Sequence, residues 1–213
     1  MRGGLSLGST VAWPADVSGL NSGFFTVSRA GFQGGLVNTL TIGDRLILTL
    51  GVNSSVQTFA IRQTGLSQYK MDARFRTINL EVPFQVGFTG YLGSLRHRES
   101  VGIGLQSNLS LGSKIVQTGD SVASILPVTQ ILGAAKVYPV LQAAFDIGSE
   151  FENDGALYFG LCFRYGMQEV YSARLFTTAF TPQVVTYNGT YLGFGLTYYL
   201  PRYSYWFKRE FIY

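Results

Sequence analysis

The sequence predicts an all-β fold: an eight-stranded, antiparallel, up-and-down transmembrane β-barrel. Three observations predict it. The first is the stretch 77–88, TINLEVPFQVGF, whose even positions are all apolar and whose odd positions are nearly all polar or small. Such a period of two marks a strand with one oily and one polar face. The second is composition. Charged residues make up 13% of the 213 residues, about half the share usual in soluble domains, while aromatics reach 15% and Gly is abundant. The third is that no apolar run approaches the ~18 residues a transmembrane helix requires. Alternation dilutes hydrophobicity in this way when strands, not helices, cross the bilayer.

The elements follow in order. Leu5, Leu7, Ser9, Val11 and Trp13 alternate with small residues in strand one, and 14–23 reads as a loop. Strand two covers about 24–42 and ends at the Gly43-Asp44 turn; strand three covers about 45–60. A polar loop, 61–72, leads into strand four, about 73–92. Pro83 stands inside that strand without a ladder N–H, which predicts a bulge or local break. A charged turn, 93–99, precedes strand five, about 100–116. The longest loop, 117–135, has an apolar part (Ile125 to Leu132) expected to pack. Strand six spans about 136–150, a turn follows at Asn153-Asp154-Gly155, and strands seven and eight span about 156–175 and 183–200. Short connections (43–44, 93–99, 151–155) alternate with long ones (14–23, 61–72, 117–135, 176–182). That asymmetry predicts short periplasmic turns, long outer loops and both termini periplasmic. The chain divides into a barrel, 1–200, and a C-terminal periplasmic tail, 201–213. No signal peptide is visible, so the chain reads as a mature or trimmed form.

Which face meets lipid follows from chemistry. A soluble barrel would bury the oily face and cover its outer one with charges. Here the polar face is Gly, Ser, Thr, Asn and Gln, which suits a cramped lumen. The oily face suits lipid. Trp13, Phe24, Phe25, Tyr91, Tyr165 and Tyr198 suit the interfacial girdles.

The closing segment Tyr191–Tyr198 resembles the β-signal read by the bacterial barrel-assembly machinery. The segment 79–84 (NLEVPF), with Val101-Gly102-Ile103-Gly104 and Leu111-Gly112-Ser113-Lys114, resembles the PorT-type outer-membrane β-barrel family of Bacteroidetes-like bacteria. The resemblance implies this fold and a bacterial outer-membrane location, in contact with lipid and lipopolysaccharide. It also implies a place in a secretion system or other envelope assembly.

Parity aims Glu81, Asp146 and Arg164 into the lumen. A buried charge needs a partner, so Arg164 is expected to pair with one or both acids and to help plug the barrel. Arg62, Lys70, Arg74 and Arg76 cluster on the loop side of strands three and four, where they would meet lipopolysaccharide phosphates or simply water. In the tail, Arg202, Tyr205, Trp206, Phe207 and Arg209 are residue types favoured at interface hot spots, against the plainer reading of an anchor lying on the headgroups.

Catalytic and metal chemistry find little support. His97, the sole histidine, has Ser94, Glu99 and Ser100 nearby, but sequence adjacency is not triad geometry. One His and one Cys (Cys162), on different strands, make no ligand set. No cofactor is expected. The net charge of +4 comes without a basic stripe interleaved with aromatics, so no nucleic-acid partner is expected. The function read from the sequence is a non-enzymatic structural or accessory subunit of an envelope assembly, with a largely plugged lumen and a protein partner in a larger membrane complex. The alternative is a narrow passive pore, with Gly102, Gly104, Gly193 and Gly195 leaving room in the lumen.

Overall fold

The computed structural model describes residues 2–12, 24–63, 70–118, 128–134, 136–151, 155–177 and 180–201. Among these residues are eleven strands: β1 (Arg2–Ala12), β2 (Phe24–Ile42), β3 (Leu46–Gln63), β4 (Lys70–Leu92), β5 (Leu95–Thr118), β6 (Val128–Ala134), β7 (Val137–Glu150), β8 (Ala156–Gly166), β9 (Tyr171–Thr177), β10 (Phe180–Tyr187) and β11 (Tyr191–Tyr199). Eight of them close an antiparallel barrel in the order β1-β11-β8-β7-β5-β4-β3-β2. The remaining three form a separate sheet, β10-β9-β6.

Burial follows the alternation and settles which face is which. Leu7 is 69% exposed and Val101 66%, whereas Glu81 is 1% exposed and Arg164 4%. The apolar face of every barrel strand therefore looks outward, from Leu5 and Leu7 on β1 to Phe194 and Leu196 on β11. An apolar exterior over a polar interior is the arrangement of a transmembrane barrel, because lipid solvates the outside and the closed ladder leaves no backbone edge unpaired. Tyr165 and Tyr198 are exposed on the barrel wall, whereas Tyr91, also exposed, shares the inward face of β4 and lies under Arg96 at the short-turn mouth. Trp13 and the side chains of Phe24 and Phe25 lie outside the described residues.

Several elements differ from the sequence expectation, each for a local reason. The charged turn shrinks to Gly93-Ser94, and 95–99 joins β5 in an unbroken ladder with β4 (Leu92↔Leu95 to Gly87↔Ser100). Gly93, at φ 64°, supplies the left-handed step that a two-residue turn needs. Strand β3 runs on to Gln63 and β4 starts at Lys70, so the loop between them is shorter than 61–72. Part of the long loop is ordered as β6. Residues 176–182 hold the ends of β9 and β10 rather than one loop. The expected strands seven and eight are each broken, at 167–170 and 188–190. There, Met167 N–H donates to the Pro139 carbonyl, Val170 N–H donates to the Tyr187 carbonyl, and Gly189 takes φ 79°. These kinks separate the barrel from the β6–β9–β10 sheet.

Of the bulge or local break expected at Pro83, the structure shows the break and no bulge. Register passes it unshifted on both sides, Leu50↔Phe84 to Asn53↔Glu81 and Pro83↔Gly104. Only the β3 pairings at 51–52 lapse, where the proline ring packs inward over Gly51. The register shifts among the described barrel strands sit elsewhere, at Arg29/Phe32 in β2 and at Ile78/Asn79, where β5 carries the extra residue Leu109.

Candidate functional site

The inward residues of the barrel strands build a lumen in three layers. The middle layer is a buried polar network. Gln142 on β7 stands opposite Arg164 on β8 in the ladder, and Tyr191 on β11 stands opposite Arg164 on its other side. Glu81 projects from β4 to meet all three. Arg164 Nε lies 2.8 Å from Glu81 Oε2, with both side chains almost wholly enclosed. Arg164 Nη1 donates to Tyr191 Oη at 2.5 Å and to Gln33 Oε1 at 3.2 Å, and lies 3.4 Å from Cys162 Sγ. Gln142 Nε2 donates to Glu81 Oε1, while Gln142 Oε1 accepts from Gln85 Nε2 at 2.7 Å. Ser100 Oγ closes the chain on Gln85 at 3.3 Å. The network thus ties β2, β4, β5, β7, β8 and β11 across the barrel. It gives the buried carboxylate and guanidinium the bonds their burial demands.

The layer toward the long loops is a cap of large side chains. Tyr187, from β10 outside the barrel, reaches in and donates to Gln57 Oε1 at 2.7 Å. Its ring packs at 4.8 Å on Phe59, which stacks at 5.0 Å on Phe75. Tyr138, Gln106, Asn79 and Thr10 are also buried. The third layer, toward the short turns, centres on Arg98. Its guanidinium lies between Tyr158 and Tyr199, 4.0 and 4.4 Å from their ring centroids. Cation–π contacts of this kind help hold a desolvated cation, and Asp146 stands opposite Arg98 in the ladder.

Between the network and Arg98 lies a cavity of 90 Å³, edged by Asp146, Cys162, Arg164 and Thr197. Beyond Arg98 the barrel opens at the short-turn mouth into a space of 1010 Å³. Across that mouth Glu150 accepts from Arg2 at 2.7 Å and from Arg96 at 2.6 Å. The spaces above the inward glycines are taken up. A Cβ on Gly104 would stand 2.7 Å from Gln142 Nε2, and one on Gly193 2.5 Å from Cys162 Sγ. On Gly102 and Gly195 it would meet backbone of the neighbouring strand.

Glu81, Asp146 and Arg164 all face the lumen, but only Glu81 and Arg164 meet. Asp146 stands opposite Gly160, four residues along β8 from Arg164, or about 13 Å. Its cross-strand neighbour is Arg98. The expected turn at 93–99 hid Arg96 and Arg98; parity carried back from Val101 and Ile103 places both inside. Arg2 and Glu150 were missed because each ends a strand, where alternation has no second side.

On the opposite rim, Arg62 sits on β3 across from Asp72, and Lys70 opens β4 across from Thr118. The side chains of Arg62 and Lys70 lie outside the described residues. Arg74 and Arg76 are exposed on the outward face of β4, above the apolar band that begins at Ile78 and Leu80. The tail residues Arg202, Tyr205, Trp206, Phe207 and Arg209 also lie outside the described residues. His97 Nε2 stands 3.9 Å from Glu99 Oε1, on the outward face, while Ser100 points inward to Gln85, so these side chains form no triad. Among the described residues no group of three metal-ligating side chains comes together.

No protein-family model and no curated protein matches the chain. Solved structures do. The chain is similar to the outer membrane protein OprG from Pseudomonas aeruginosa, at 12% identity over 94% of this chain and 97% of that one, with a TM-score of 0.50. It is similar to a major outer membrane protein from Thermus thermophilus, at 11% identity over 94% and 100%, with a TM-score of 0.47. It is also similar to the outer membrane enzyme PagL, at 13% identity over 93% and 99%, with a TM-score of 0.37. The likeness to OprG, at that identity, speaks to fold alone.

Proposed function

We propose that the chain is a bacterial outer-membrane barrel of the PorT type that serves as a non-enzymatic structural or accessory subunit of an envelope assembly. The observation that carries this reading is the filled lumen. From Arg98 through the Glu81–Arg164 network to Tyr187, side chains of almost every barrel strand occupy the bore. A barrel so filled offers its outer wall, its loops and its ends to partners, not its interior to solutes. In this reading the short turns face the periplasm, as do both termini. The tail, with Arg202, Tyr205, Trp206, Phe207 and Arg209, is the docking segment for the protein partner. Arg74 and Arg76, exposed above the apolar band beside Arg62 and Lys70, face lipopolysaccharide phosphates in the outer leaflet.

The test is gentle detergent extraction of native membranes followed by blue native electrophoresis. Co-migration with a defined large complex, lost on truncation of 203–213, is the expected result. Migration as a lone barrel overturns the subunit reading. One observation favours the second reading, a narrow passive pore: the short-turn half of the lumen already holds spaces of 1010 and 90 Å³ with only Arg98 and its two tyrosines between them. Steady ohmic conductance in planar bilayers would favour it.

A further inference from the structure

We propose that the short-turn mouth of the barrel binds the phosphate-bearing headgroup of a membrane lipid. The 1010 Å³ space there is walled on its lumen side by Arg2 and Arg96, on its turn side by Asp44 and Arg45, and on its membrane side by Phe88. One cavity therefore touches both the barrel interior and the lipid-facing wall. Phe88, which bounds it outside, is 64% exposed on that wall, and Leu92, four residues along the same strand, is 63% exposed.

The guanidinium groups are held ready. Glu150 takes a bond from Arg2 and another from Arg96, and Arg96 Nε donates to Thr89 Oγ1 at 2.9 Å. A single carboxylate thus fixes two forks whose planar donors match phosphate oxygens. Arg2 is 8% exposed, and its Nε has no partner. Counting Arg45 and Asp44, three guanidinium groups face two carboxylates, which leaves one net positive charge for an anion. Depth is limited as well. Arg98, clamped between Tyr158 and Tyr199, closes the way inward, so a ligand seats at the mouth and does not pass through.

A lipid fits this place better than a free phosphate ester. The arginines lie where the apolar band ends, beside Tyr91, and aromatic side chains at that level mark the headgroup region. A phosphate anchored at that depth by acyl chains along Phe88 and Leu92 meets the mouth without a search through water.

The test uses the full chain in non-ionic detergent and native mass spectrometry with three probes. These are phosphatidylglycerol, the diacylglycerol with the same chains, and glycerol 3-phosphate. Phosphatidylglycerol is expected to stay bound, diacylglycerol to leave, and glycerol 3-phosphate to bind far more weakly. R96Q is expected to weaken phosphatidylglycerol retention about tenfold, the scale of a charge-assisted bond. R45Q, in an exposed turn, lowers it by a smaller factor and serves as the test if R96Q fails to fold by heat-modifiable gel mobility. Equal retention of diacylglycerol, or retention unchanged in folded R96Q or R45Q, overturns the site. Binding of glycerol 3-phosphate as tight as that of the lipid overturns the membrane source.

Discussion

Arg164 on β8 and Glu81 on β4 lie on non-adjacent barrel strands, yet their side chains meet inside the lumen at 2.8 Å, closed off from solvent. Neither strand hydrogen-bonds the other, so this contact spans the barrel instead of following its wall. Its geometry sets the first expectation. Arg164→Met leaves Glu81 buried without its cation and should cost about 3–5 kcal/mol, the usual penalty for breaking such a pair. Urea unfolding in detergent measures it. Adding Glu81→Gln should recover part of the loss, because the stranded charge is then gone. Unchanged stability in R164M would remove the pair from the account of how the lumen holds together.

Two glycines should respond differently to a methyl group. On Gly102 a Cβ would stand 2.1 Å from the Phe84 carbonyl oxygen and 2.7 Å from Gln85 Cα, backbone that cannot swing away. On Gly3 it meets nothing within 4 Å. Gly102→Ala is expected to destabilise by roughly 1–3 kcal/mol and Gly3→Ala to be near neutral. Thermal unfolding followed by circular dichroism ranks them, and equal midpoints would mean that the strands yield at Gly102.

The Arg98 clamp predicts slow chemistry at Cys162. This thiol edges the 90 Å³ cavity beyond the clamp, so a small methanethiosulfonate reagent from the short-turn side must pass Arg98. Arg98→Ala should speed labelling, read by intact mass against time, while an open lumen would give the same rate in both proteins.

The Arg2–Glu150–Arg96 bridge sits at a partly exposed rim and should be worth little to folding. Glu150→Gln is expected to cost no more than about 1 kcal/mol, and added salt should shrink the difference further. A loss of several kcal/mol in high salt would show that the bridge is more enclosed than its geometry implies.

Much of this fold is legible in the chain because lipid enforces the alternation. A strand with Ile78, Leu80, Val82, Phe84, Val86 and Phe88 on one side has one orientation available, and that orientation places Glu81 inside. The same parity puts Asp146 and Arg164 in the lumen. It cannot say how far along the axis each stands, because that depends on stagger between strands. Asp146 therefore faces Arg98 in place of Arg164. The β6–β9–β10 sheet is hidden for another reason. Its strands are seven or eight residues long and interrupt longer runs at kinks made by Gly189 and by residues 167–170, so no change of period announces them. Arg96 and Arg98 look like turn residues because charge outweighs parity at the end of a hairpin.

The network across the bore bears on how the chain is assembled. Tyr191, on the last strand, completes the bonds of Arg164, and Glu81 lies 83 positions earlier than Arg164 in the chain. Until the two edges of the sheet join, each of these groups sits on an open surface that water can reach. Dehydration of the ion pair therefore coincides with the sealing of β1 against β11, and the cost and the gain of burying it arrive in one event. An unfinished sheet gains nothing from these residues. The bonds reward the closed ring alone, which makes closure cooperative and leaves partly joined intermediates with no interior to hold them.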